Sequence, residues 1–314
     1  MMASMARILA AAWLLIAAQP LLAEDWQLVW SDEFEGAAID PAKWSFDEDC
    51  WGGGNDERQC YTAAARNAAI VDGKLVITAR RQRATGPALP AAQRRRARDP
   101  AAQVSREFTS ARLTTRGKAA WRYGKIEVRA RLPQGQGVWP AIWMLPELDT
   151  YGPWAASGEI DILEAVNLGV PCEQCPGGRE DTILGTLHFG RAWPDNVHSG
   201  DEVHFPEVLE GFHTYTIEWD KDRIAWQFDG RIYAERKSSE WWSSGFRVPG
   251  APFDQGFHLI LNLAIGGRLA EERGTHGISS KDYPKRFEID WVRVWQRSDT
   301  AARVPVEQPR GKAP

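Results

Sequence analysis

The sequence predicts an all-β fold, a sandwich or barrel in one domain, on three observations. Short runs of aliphatic, β-branched and aromatic residues recur along most of the chain. Turn dipeptides such as Asp72-Gly73 and Asp229-Gly230 punctuate them, and no long segment repeats at helical spacing. A chain of 314 residues is long enough to bury a sizeable core without being divided.

In order, the predicted strands are 27–30, 74–80, 111–116, 125–132, 138–145, 159–164, 182–189, 214–219, 224–228, 258–263 and 288–295. Residues 125–132 carry the cleanest alternation, with Ile126, Val128, Ala130 and Leu132 on one face and charged residues on the other. Asp229-Gly230 joins two such runs as a tight hairpin. Two stretches interrupt the pattern. Residues 81–106 have no periodicity and read as an inserted surface loop, and residues 167–181 form a Gly/Pro-rich excursion.

At the N-terminus, Arg7, the apolar run Ile8 to Ala18 and small residues up to Ala23 have the layout of a secretory signal peptide over 1–23. The expected domain is then 24–297, with a loose polar tail over 298–314 and a secreted or periplasmic location. The h-region is too short to span a membrane, and no later run suffices. The net charge is −4, and removing the leader, with its Arg7 and no acid, leaves −5. A mildly acidic chain has no broad reason to hold nucleic acid. The basic run Arg94-Arg95-Arg96-Ala97-Arg98 sits in the aperiodic stretch and reads as solvated surface.

Four cysteines in an exported chain suggest disulfides, most simply Cys50–Cys60 and Cys172–Cys175. The Cys172-x-x-Cys175 pair also has the form of half a zinc site. His188 and His198 are then the residues to complete it, but they lack the usual ligand spacing.

The segment with the most chemistry is Glu159-Ile160-Asp161-Ile162-Leu163-Glu164, three carboxylates in an otherwise apolar strand. Glu159 and Asp161 share a face by the two-residue repeat, whereas an unbroken pleat sends Glu164 to the other side. A β-bulge between Asp161 and Glu164 restores the register and gathers all three. Such a trio suits glycoside hydrolysis with retention, which needs a nucleophilic carboxylate and an acid/base carboxyl about 5–5.5 Å apart. Crowded negative charge also raises one pKa, as a general acid working near neutral pH requires. Calcium loops alternate Gly and polar ligands, which Ile160, Ile162 and Leu163 do not provide.

Trp139, Trp143 and Trp154 cluster near this strand, and flat indole faces stack on sugar rings. Trp219, Trp226, Trp291 and Trp295 are left to the core or unassigned. His188, on the next strand, is either structural or a partner of a catalytic carboxyl.

Several ordered segments resemble family-16 glycoside hydrolases, specifically the laminarinase-like β-1,3-glucanases. They are Val29-Trp30-Ser31-Asp32-Glu33-Phe34, Asn55-Asp56-Glu57-Arg58-Gln59-Cys60-Tyr61-Thr62, Thr109 to Leu113, Trp121 to Arg129, Val138 to Pro146, the acidic strand, Phe212 to Tyr215 and Asn262 to Gly267. The resemblance runs from about Leu28 to Gln296. It implies a β-jelly-roll sandwich of two antiparallel sheets with a concave substrate cleft. It also implies Glu159 as nucleophile, Asp161 as its assistant and Glu164 as acid/base. Asn55, Glu57, Arg112, Trp139, Trp143, Trp154 and His188 are the sugar-contacting positions it suggests. It offers a structural calcium at Glu33, the backbone of Gly73, and Asp290, dispensable to the chemistry, with no cofactor required.

The expected partner is a polysaccharide, laminarin-like β-1,3-glucan, acted on by a monomer that touches neither membrane nor nucleic acid. Alternatives on the same fold are mixed-linkage β-1,3-1,4-glucanase, agarase-like galactanase, transglycosylation and a non-catalytic glucan-binding protein. The six-residue spacing Glu-x-Asp-x-x-Glu resembles laminarinases, agarases and carrageenases, whereas lichenases typically have a five-residue form. The chain departs from the resemblance at Cys60, where relatives often have an aromatic, and at Arg268-Leu269-Ala270, where they commonly place a Trp.

Overall fold

The computed structural model describes residues 25–298; the expected leader and nearly all of the 298–314 tail lie outside them. Fifteen strands build the body: β1 (Trp26–Asp32), β2 (Ser45–Phe46), β3 (Ala68–Val71), β4 (Lys74–Ala79), β5 (Arg112–Thr114), β6 (Gly124–Arg131), β7 (Val138–Pro146), β8 (Glu159–Glu164), β9 (Thr182–Phe189), β10 (Val197–His204), β11 (His213–Trp219), β12 (Arg223–Phe228), β13 (Arg231–Lys237), β14 (Phe257–Ile265) and β15 (Lys285–Arg297). They form two antiparallel sheets. One, of eight strands, runs β13-β12-β11-β6-β15-β4-β3, with β1 also on β15. β1 and β4 share one side of β15 in succession, β1 along Val292 to Arg297 and β4 along Lys285 to Ile289. The other sheet, of seven strands, runs β10-β9-β8-β7-β14-β5-β2 and carries the acidic segment as β8.

Period-two patterning decides which faces meet. In β6, Ile126, Val128 and Ala130 are fully buried while Lys125, Glu127 and Arg129 are not. Opposite them, the inward residues of the second sheet, among them Ile142, Ile160, Leu163, Leu187, Leu261 and Leu263, close the core. Trp219, Trp226, Tyr215, Phe228, Phe253, Phe257 and Phe287 are its largest fully buried members. This is the two-layer solution in which each sheet hides one face.

Each anticipated strand is present. The stretch 81–106 is more ordered than its composition suggests. Ala84–Pro87 pairs with Gln103–Arg106 as a ribbon, with a short helix at Ala91–Arg94 near its tip. Neither strand of the ribbon alternates in sequence because neither face is deeply buried, so the apolar signal is missing. The ribbon docks through the Cys50 N–H to the Pro87 carbonyl at 2.8 Å and through Arg106 Nε to the Cys50 carbonyl at 3.0 Å. The edge strand β10 escaped the sequence reading for the same reason. Cys50 is bonded to Cys60, and Cys172 to Cys175. Among the described residues no helix is long and apolar enough to cross a membrane.

Candidate active site

β8 lies between β7 and β9, and its pairing with each contains an irregularity. On the β9 side, Glu159 faces His188 and Asp161 faces Thr186. The register then shifts, and Glu164 faces Leu184. On the β7 side, Leu163 faces Ile142 while Asp161 faces Trp143, so Ile162 is the extra residue. Because directly opposed side chains share a face, Glu159, Asp161 and Glu164 lie on one side with His188, Trp143 and Ala141. β14 and β5 extend that row, since Asn262 faces Ala141 and Arg112 faces Asn262.

A specific contact holds the bulge. The Asp161 carbonyl accepts the Trp226 indole N–H at 2.7 Å, from the opposite sheet across the core. A carbonyl in a regular ladder lies in the plane of its own sheet, so this one has been turned inward. Gly185 makes room for the indole: a Cβ there would sit 2.5 Å from Trp226 Cδ1. Trp226→Phe leaves the carbonyl buried and unpaired, with an expected loss of about 1–3 kcal/mol, measured as a lower urea midpoint.

Each carboxyl has a defined partner. Trp154 donates its indole N–H to Glu159 Oε2 at 2.5 Å, and Trp139 donates to Glu164 Oε1 at 3.0 Å. His188 Nε2 stands 3.2 Å from Asp161 Oδ2. Burial raises the pKa of Glu159, against the opposing pull of His188 and the Trp154 N–H. Burial, then the neighbouring Glu159 charge, pushes Asp161 up to about 7. Burial and the Asp161 charge take Glu164 to about 8. Burial works against a charged His188, but the three carboxyls outweigh it and hold the ring at about 9. The site is therefore a cationic imidazole beside three acids, some of which keep their protons near neutral pH.

The remaining anticipated residues divide by depth. Trp143 and Trp154 are partly open, the latter 38% exposed. Trp139 and Glu57, expected to contact sugar, are buried. Trp139 packs with Val166, Ala264 and Ala270, and its role visible here is to hold Glu164. Glu57 Oε2 accepts from Gln59 at 2.6 Å and Tyr61 at 3.2 Å, with the Asn55 side chain also bonded to it. Tyr61 in turn accepts from Asn262 Nδ2 at 3.1 Å, and Asn262 Oδ1 accepts from Trp143 at 2.6 Å. Arg112 lies 4.7 Å over the Trp143 ring and 3.0 Å from Asp47. These contacts form one network that orients Trp143. Asn262 was missed in the sequence, although a lone amide in Leu259-Ile260-Leu261-Asn262-Leu263 was a legible signal. Trp193 and Trp242, 69% and 43% exposed, were missed as well. The Trp193 backbone N–H bonds the Trp154 carbonyl at 2.9 Å, which places Trp193 beside the tryptophan that holds Glu159.

The proposed calcium ligands meet other cations. The Glu33 carboxylate takes both arms of Arg293, at 3.0 and 2.8 Å, and that contact lowers its pKa. Asp290 is paired with Arg129. Both carboxylates are paired with guanidinium groups here, and a divalent cation at this site would have to displace Arg293 and Arg129.

The family model described as glycosyl hydrolases family 16 matches residues 57–293. A glucan endo-1,3-beta-glucosidase from Cryptopygus antarcticus is 40% identical over 276 residues, 86% of this chain and 92% of that protein. Glucan endo-1,3-beta-glucosidase A1 from Niallia circulans is 37% identical over 281 residues, which are 86% of this chain but 38% of that longer protein. The laminarinase from Rhodothermus marinus superposes with a TM-score of 0.70 at 38% identity, covering 87% of this chain and 98% of that one.

Proposed function

Since the chain belongs to glycosyl hydrolase family 16, we propose that it cleaves internal β-1,3 bonds of laminarin-like glucans by a retaining double displacement. The chemistry of this family needs no cofactor, and the fold is the β-jelly-roll sandwich that the resemblance implied. The observation that carries the reading is the bulge at Ile162, which sets Glu159, Asp161 and Glu164 on one face beside His188.

In this mechanism Glu159, ionised, attacks the anomeric carbon while Glu164, protonated, gives its proton to the departing glycosidic oxygen. The Trp154 N–H keeps Glu159 aimed and favours its charged form. Asp161 shares a proton with Glu159 before attack and releases the nucleophile as the sugar arrives. Glu164, now ionised, takes a proton from water, which then opens the glycosyl-enzyme ester. The pKa of Glu164 near 8 keeps it protonated at neutral pH, as the first step requires. Asn55, Arg112, Trp143, Trp154, Trp193 and Trp242 form the sugar-binding surface in this reading. The signal peptide expected over 1–23 would put this action outside the cytoplasm.

A panel of laminarin, mixed-linkage glucan and agarose, with products sized, tests the substrate. Rapid shortening of laminarin to oligosaccharides is expected; agarose cut faster than laminarin would overturn the reading.

The charge of His188 also sets the pH profile. Its positive charge lowers the pKa of all three acids. His188→Gln removes it, so Glu159 ionises later on the acid limb and Glu164 deprotonates later on the basic limb. Both limbs of kcat/KM against pH are expected to move to higher pH, and a shift to lower pH would contradict the assignment.

A further inference from the structure

Cys172-x-x-Cys175 takes no part in the reaction, and its surroundings are those of a metal site. The excursion that carries it returns to β9 through Glu180 and Asp181. β10, which pairs with β9, ends at His204 beside them. One carboxylate oxygen of Asp181, a ring nitrogen of His204 and Cys175 Sγ all lie within 4.8 Å of one another. Cys172 Sγ, Cys175 Sγ and a Glu180 oxygen make a second such group around the same sulfur. Asp181 is 1% exposed and His204 Nδ1 is 2.6 Å from its Oδ1. The histidines that the sequence offered as partners are elsewhere. His188 stands on Asp161, and His198 faces His188 across the strand pair.

We propose that reduction of Cys172–Cys175 creates a four-coordinate zinc site from the two thiolates, His204 and Asp181, which reoxidation of the pair abolishes. Two sulfurs, one imidazole nitrogen and one carboxylate oxygen are a donor set that zinc accepts tetrahedrally, at about 2.3 Å to sulfur and 2.0–2.2 Å to the others. Cys175, Asp181 and His204 already offer ligand atoms within 4.8 Å of one another. Cys172 Sγ, bonded to Cys175 Sγ in the oxidised chain, joins them by side-chain rotation once the pair is reduced. The frame does not depend on the disulfide. Cys172 N–H bonds the Gly178 carbonyl at 3.0 Å, Gly178 N–H the Cys175 carbonyl at 2.9 Å and Glu180 N–H the Val170 carbonyl at 2.8 Å. The Phe205 N–H on the Asp181 carbonyl, at 3.0 Å, ties the His204 end to the same frame.

The balance is simple. A dithiol or phosphine reductant supplies two electrons, the S–S bond breaks, and two protons make two thiols. Zinc then displaces those two protons and replaces the His204–Asp181 hydrogen bond with two ligand bonds. In the oxidised chain neither sulfur carries the negative charge that zinc binding needs.

The test is cobalt(II) titration of the full chain, before and after reduction with a phosphine that is then removed. A Cys50→Ser/Cys60→Ser variant takes the other disulfide out of play, and laminarin hydrolysis reports that each sample is folded. One equivalent of cobalt with thiolate charge-transfer bands, displaced by zinc, is expected in the reduced chain and none in the oxidised one. His204→Ala and the milder His204→Gln are expected to weaken binding by at least about tenfold, the lower end of what losing even an outer partner costs. Failure of the reduced double-serine variant to bind one equivalent would overturn the proposal. So would cobalt affinity in both His204 variants unchanged from that of the chain with His204 intact, or equal binding by the oxidised chain.

Discussion

Glu164→Gln is expected to lower the turnover of laminarin by about 10²–10⁴-fold, the usual worth of a positioned acid/base. The amide keeps the shape and accepts the same Trp139 N–H, but has no proton to give the departing oxygen. The loss in kcat/KM should shrink for an aryl glycoside whose leaving group needs no proton, because that ratio reports the first step, in which Glu164 is the acid. The value of kcat stays depressed, because the second step has lost its base. Glu159→Ala removes the nucleophile itself, so no leaving group rescues it and no glycosyl-enzyme forms. Wild-type turnover in Glu159→Ala would sink the account. Loss in Glu164→Gln that is equal for both kinds of substrate would remove Glu164 from the acid role.

Deleting Ile162 is expected to leave a working enzyme, a result that follows from the bulge geometry. The segment would become Glu-Ile-Asp-Leu-Glu, in which a regular pleat already puts all three carboxylates on one face. Ile162 is 1% exposed, so the core loses a buried side chain and the variant should melt earlier. Its turnover should nevertheless stand far above that of Glu164→Gln. A folded deletion variant as inactive as Glu159→Ala would show that the extra residue does more than restore register.

The strands and the bulge were legible because burial on one face writes a period of two into the sequence, and Glu164 broke that period visibly. The ribbon at 84–106 and the edge strand β10 left no such mark, since neither faces the core. Roles by depth were also beyond sequence: Trp139 and Trp143 alternate on one strand, yet one is buried under Glu164 and the other is held partly open by Asn262. Trp226 was readable as core, but not as the donor that fixes the Asp161 carbonyl, because the two meet only when the sheets pack. Likewise His204 stands beside Cys175 only through the β9–β10 pairing, so the sequence offered other histidines, which lacked the usual ligand spacing.

The central claim is that Glu159 and Glu164 work as a retaining pair, and the anomer of the first product tests it most directly. Proton NMR during the earliest minutes of laminarin hydrolysis, before mutarotation, should show the new reducing end as the β-anomer. An initial α-anomer would mean single displacement by water and would contradict the nucleophilic role of Glu159.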